Sequence, residues 1–70
     1  MPKLPRVRWY RERAALSQDE LAKKAGVSRV TVVRIEGGED TFPSTARKLA
    51  EALNVAPSDL MESQERFRAA

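Results

Sequence analysis

The stretch S-Q-D-E-L-A-K-K-A-G-V-S-R-V-T-V-V-R-I-E-G-G, Ser17 to Gly38, predicts two short helices joined by a tight turn. The first spans about Gln18 to Ala25 and the second about Arg29 to Glu36. Ser17 suits the N-cap of the first, and Glu20 three residues on completes a capping box. Gly26 falls where the first helix must stop, because glycine adopts the left-handed conformation at little cost. Ser28 caps the second helix, and Gly37 and Gly38 end it. The apolar residues Leu21, Ala25, Val27, Val32 and Ile35 can all turn inward if the two helices cross steeply, and Ala22 is small where they would approach most closely.

That leaves Arg29, Val30, Val33 and Arg34 on or near the outward face of the second helix. At about 100° per residue, Val30 and Arg34 straddle the side opposite Val32 and Ile35, with Val33 beside them. Such a layout is that of a helix-turn-helix, whose second helix lies in the DNA major groove. The β-branched run Val30-Thr31-Val32-Val33 reads as strand by propensity alone. It has no credible partner strand elsewhere in the chain, so the caps on both sides decide for helix.

Three segments carry a resemblance to the phage-repressor and Cro type of helix-turn-helix domain, the lambda-repressor-like fold. They are L-S-Q-D-E-L-A-K-K-A-G-V-S from Leu16 to Ser28, V-V-R-I-E-G-G from Val32 to Gly38, and P-S-T-A-R-K-L-A-E-A-L-N-V from Pro43 to Val55. With Arg11 upstream, the resemblance covers roughly residues 6 to 61. It implies an all-α fold of five short helices, sequence-specific binding of double-stranded DNA, and a role in prokaryotic or phage transcription regulation. It also implies that Arg11 pairs with Glu36, and that Gln18 contacts a phosphate. Two features depart from the family's usual pattern. The loop after the second helix reads Gly37-Gly38-Glu39-Asp40, where relatives often carry basic residues, and its two acids would repel phosphate. Trp9 stands where look-alikes are usually polar, and is expected to pack against the C-terminal tail.

The remaining chain agrees with one small domain of seventy residues, 1–70, with its core in about 6–61. Pro5 suits the first turn of a helix running to about Ala15, with Leu4, Val7, Tyr10 or Arg11, and Ala14 on one side. Pro43 stops any continuation from the loop, and Ser44 is the candidate N-cap of a fourth helix. There Ala46, Leu49, Ala50 and Leu53 form an inward stripe, while Arg47, Lys48 and Glu51 face out. Asn54 would end it in a left-handed conformation, and Val55 would pack. Pro57 and Ser58 would start a fifth helix carrying Leu60 and Met61 back to the core. Residues 62–70 read as a helical extension or a frayed tail.

Composition narrows the function classes. The chain holds no cysteine and no histidine, so it has no disulfide framework, no thiolate metal site and none of the commonest acid–base side chain. No metal, cofactor or catalytic constellation is expected. No apolar run approaches the ~20 residues of a membrane span, and Met1 to Pro5 lacks the apolar region of a signal peptide, so a soluble cytoplasmic protein is the expectation, nucleoid-associated through its DNA. The net charge is only +3, from thirteen Lys and Arg against ten Asp and Glu. Its distribution says more: Lys3, Arg6, Arg8, Arg11 and Arg13 crowd the N-terminal segment, and Arg29 and Arg34 sit on the proposed recognition helix.

The expected division of labour follows. Arg29, Val30, Val33 and Arg34 would read bases, the arginines at base edges and the valines against thymine methyls. Gln18, Ser28, Thr31, Arg6 and Arg8 would hold phosphates. The partner would be a two-fold symmetric operator bound by a weak homodimer joined around Pro57, Leu60, Met61 and Phe67. The rival reading is a protein-interaction module of the same fold, an antitoxin or adaptor. Exposed valines serve either reading, whereas Arg29 and Arg34 favour DNA.

Overall fold

A computed structural model describes residues 2–61. The elements are α1 (Val7–Arg13), α2 (Gln18–Ala25), α3 (Arg29–Glu36), α4 (Pro43–Leu53) and α5 (Pro57–Met61). Among the described residues there is no strand. The run Val30 to Val33 is helical: Ser28 Oγ accepts from the Thr31 N–H at 3.2 Å, and Val32 and Ile35 are buried on the face this winding gives them.

One core organises the helices. Leu4, Val7, Leu21, Val32, Leu49 and Leu60 are its fully covered large side chains, and Ala22, Ile35, Ala46, Ala50, Ala52 and Leu53 complete it. Helix α2 packs on α3 and α4, α4 on α5, and α1 closes over α3 and α4. Ala22 is buried on α2, which packs against both neighbours. Its single methyl lets them come close.

Four helices end by the same device. The first residue after the helix in α2 and α4, and the second in α1 and α3, turns left-handed, and two backbone N–H groups fold back onto the last carbonyls, which would otherwise lack partners. In α2 the turning residue is Gly26 (φ 74°), and Val27 donates to the Ala22 carbonyl at 2.9 Å. In α4 it is Asn54 (φ 58°), with Val55 bonded to Ala50 at 3.0 Å. In α3 it is Gly38 (φ 101°), with Glu39 bonded to Arg34 at 3.1 Å. In α1 it is Ala15 (φ 58°), with Leu16 bonded to Arg11 at 3.1 Å. Leu16, Val27 and Val55 each then pack on the core, so each closure aims the next segment inward. Glu39 alone of the four is polar and stays exposed.

The structure corrects several sequence expectations. Helix α1 stops at Arg13, short of Ala15, and Ala14 is exposed rather than inward. The left-handed turn at Ala15 ends it, and an alanine gives no glycine-like signal for that turn. Helix α4 starts at Pro43 with Phe42 as its N-cap, so Ser44 lies inside the first turn. Proline is well placed there, since its missing N–H would have no partner. Leu60 reaches the core, but Met61 remains 41% exposed, because neighbouring residues on a helix point about 100° apart. The expectations for Phe67 and for the tail contact of Trp9 lie outside the described residues. Within them, Trp9 meets Tyr10 edge-on at 4.9 Å between ring centres, and the Arg13 guanidinium stacks 4.5 Å from the Trp9 ring.

Candidate nucleic-acid interface

Helix α3 carries the candidate interface. Its inner face is fixed by Val32 and Ile35, which leaves Arg29, Val30, Val33 and Arg34 together on the outer face, all exposed. Val30 and Val33 are 56% and 43% exposed, on a helix whose other branched aliphatic side chains are covered. Among the described residues neither Arg29 nor Arg34 forms an ion pair within the chain. Two free cations and two exposed valines on one rigid face can meet an anionic surface that also carries apolar groups. At the start of the helix, Ser28 Oγ and Thr31 Oγ1 lie 2.8 Å apart, with Ser28 exposed and Thr31 half-buried.

A shared carboxylate sets the angle of this helix. Arg11 donates from Nε to Glu36 Oε2 at 2.6 Å and from Nη2 to Glu36 Oε1 at 3.1 Å, and its Nη1 donates to the Leu16 carbonyl at 2.8 Å. Gln18 Nε2 donates to the same Glu36 Oε1 at 3.1 Å. Glu36 therefore ties the last turn of α3 to α1 and to the first residue of α2. The side chains of Arg11 and Glu36 are only 13% and 6% exposed. The bond to Glu36 raises the Arg11 pKa further, partly opposed by desolvation, so the guanidinium is permanently charged. A carboxylate at a helix C-terminus is disfavoured by the helix dipole, and the paired guanidinium offsets this.

At the start of α2, Ser17 and Glu20 form a full capping box. The Ser17 N–H donates to Glu20 Oε1 at 2.8 Å, and the Glu20 N–H donates to Ser17 Oγ at 3.0 Å. The bond from the Ser17 backbone, then that from its hydroxyl, holds the Glu20 carboxyl below the ordinary glutamate range. Gln18 follows directly and is half-buried. Its bond to Glu36 fixes which end of the amide is the donor end, because a carboxylate only accepts.

The basic N-terminal segment divides. Arg8 is exposed and pairs loosely with Glu12 at 3.3 Å on its own helix. Arg6 does not join the surface: it is 5% exposed, and its Nη1 donates to the Asp59 carbonyl at 3.4 Å. It locks the N-terminal segment to α5, and to reach a phosphate it would have to leave the interior. Leu60 is fully buried, so it cannot contribute to a dimer surface, whereas Met61 can.

Sequence reasoning assigned no role to the strap formed by Pro2 and Lys3. The Thr41 N–H donates to the Pro2 carbonyl at 2.9 Å, and Lys3 Nζ donates to the Gly38 carbonyl at 2.9 Å while lying 3.5 Å from Asp40 Oδ1. The loop beyond α3 is thereby pinned, and one of its two acids is matched by a cation. Beside it runs an open groove lined by Thr31, Arg34, Ile35, Glu39, Asp40, Thr41, Phe42 and Thr45. Phe42 stands 63% exposed at its edge. The signal for that exposure was Pro43: a proline at the first helical position puts the preceding residue at the N-cap, off the inward stripe.

Residues 6–63 match the helix-turn-helix domain family. The chain is a member of that family. The domain is 41% identical over 71 aligned residues to a protein of Archaeoglobus fulgidus described as an HTH-type transcriptional regulatory protein, a match covering 86% of this chain and 23% of that protein. The chain thus spans less than a quarter of that relative. It is 39% identical over 56 residues to an uncharacterised HTH-type transcriptional regulator of Methanocaldococcus jannaschii, covering 79% of this chain and 85% of the relative. Among solved structures, the hypothetical transcription factor NHTF from Neisseria superposes with a TM-score of 0.78 at 33% identity, over 91% of this chain and 76% of that one. The N-terminal DNA-binding domain of the biofilm regulator SinR from Bacillus subtilis gives 0.75 at 30% identity, over 91% and 94%. Among the described residues no helix is long and apolar enough to cross a membrane, and no group of His, Cys, Asp or Glu is placed to hold a metal ion.

Proposed function

We propose that this helix-turn-helix domain binds double-stranded DNA in a sequence-specific way, as the DNA-reading part of a cytoplasmic transcriptional regulator. The supporting observation is the outer face of α3: two arginines without ion-pair partners among the described residues, and two exposed valines, on a helix fixed by the core and by Glu36. With that face in the major groove, Arg29, Val30, Val33 and Arg34 meet base edges and Gln18, Ser28, Thr31 and Arg8 meet phosphates. Guanine offers O6 and N7 to the guanidinium fork, and thymine offers its methyl to valine. The preferred half-site therefore holds a guanine near one or more thymines.

Two copies on a two-fold operator would place their α3 helices about one helical turn apart. The contact between copies uses the exposed side of α5 around Pro57 and Met61, and it is weak without DNA. Selection of bound sequences from a random duplex library tests both halves of the reading. The expected product is an enriched inverted repeat, with affinity falling steeply as salt is added. Recovery of no enriched sequence, together with a flat salt response, would refute DNA binding. An enriched single half-site occupied by one protomer in sedimentation would refute the dimer alone.

A further inference from the structure

The loop after α3 carries two carboxylates, and the structure treats them differently. Asp40 lies 3.5 Å from Lys3 Nζ, so its charge is matched within the chain. Glu39 is exposed and forms no ion pair among the described residues. It is nevertheless held firmly. Its N–H donates to the Arg34 carbonyl at 3.1 Å across the left-handed Gly38, so its Cα is fixed relative to α3. It also lines the groove that Arg34 lines. An anion with no ion-pair partner among the described residues is thus carried on a backbone position tied to α3, lining the same groove as Arg34.

A carboxylate has only two outcomes against duplex DNA. Facing phosphates, it repels, and it weakens every sequence alike. Facing base edges, it can only accept, and the major groove offers donors at cytosine N4 and adenine N6. The backbone that carries this carboxylate is tied to α3, which limits the positions the side chain can reach. We infer that Glu39 is a further specificity-determining residue, accepting from the exocyclic amine of a cytosine next to the base pair met by Arg34. The inference rests on α3 being the reading helix. Arg34 and Glu39 then form a donor and an acceptor side by side, matching a guanine acceptor and a cytosine donor on neighbouring base pairs.

The test measures binding of the wild type, Glu39→Ala and Glu39→Gln to the selected duplex and to every single-base variant of it. Glu39 is exposed and its backbone bond survives substitution, so the variants should fold. Glu39→Ala is expected to lose discrimination at one C·G pair, by about fivefold to a hundredfold, and to leave the other positions unchanged. Glu39→Gln, whose amide oxygen still accepts, is expected to keep part of that preference. If Glu39→Ala instead binds every duplex more tightly by one common factor, Glu39 is only a repulsive charge and the inference fails while the reading of α3 stands. If the wild type itself is indifferent to sequence, the reading of α3 fails and takes the inference with it.

Discussion

At the scale of single residues, Arg34 is the position where chemistry and geometry agree most closely. It is exposed, it makes no ion pair among the described residues, and it lies about a turn beyond Val30 on the outer face. Arg34→Ala is expected to cost about 1–3 kcal/mol on the preferred site and to flatten discrimination at one base pair. Equal weakening on every member of a single-base panel would make it a phosphate clamp. If the second amide hydrogen of Gln18 holds a phosphate as proposed, while the first stays on Glu36, Gln18→Ala should weaken all sequences alike, since a phosphate contact carries no base identity. Ala15 offers a test of stability. An L-residue in the left-handed region costs about 1–2 kcal/mol, and glycine there loses part of the gain through its freer unfolded chain. Ala15→Gly should therefore stabilise by about 0.5–1 kcal/mol, read as a rise in the thermal midpoint; a lower midpoint would mean the alanine methyl has contacts that outweigh its backbone strain.

At the scale of helices, the sequence was most legible where a cap or stop uses a distinctive side chain. Ser17, Glu20, Gly26, Ser28 and Asn54 all act as their chemistry suggests, and the bounds of α2 and α3 are those expected. The misses share a cause. Ala15 and Phe42 occupy a stop and a cap that are made by backbone alone, so neither residue type announces them. The orientation of Arg6 was hidden for a related reason, because helical spacing cannot say which member of a basic run is covered by a fifth helix 53 residues away. The capping box of α2 gives a prediction of its own. Ser17→Ala removes the acceptor for the Glu20 N–H and should cost about 1 kcal/mol. Glu20 has a folded pKa below its unfolded one, so its contribution is complete above the unfolded value and is lost as the pH falls through the folded value. Denaturant midpoints of wild type should thus drop on acidification more than those of Glu20→Gln, which keeps an acceptor but cannot titrate. Parallel curves would remove the carboxylate from the account.

For the molecule as a whole, stability is concentrated in few contacts, because a domain of this size buries only ~60% of the surface its unfolded chain exposes. Arg11 and Glu36 join three helices through one nearly covered carboxylate. Removing either partner strands the other, at about 3–5 kcal/mol, a large part of the stability such a domain can have. Arg11→Ala and Glu36→Ala should each lower the unfolding midpoint severely, and the double variant by less than the sum. Additive losses would show that the two groups do not act as a pair. That pairing was legible through family resemblance, with the helical wheel and the helix dipole agreeing that Glu36 needs a cation; Gln18 as third member was not, since nothing in its spacing singles out Glu36. The N-terminal strap has a practical side. The Pro2 carbonyl is bonded to Thr41, and Lys3 reaches Gly38 and Asp40, so polypeptide joined ahead of Pro2 starts beside the loop that follows α3. If α3 meets DNA as proposed, an affinity tag or fusion partner at that end would stand beside it, and an acidic one would be read in a binding assay as weak DNA affinity that belongs to the tag.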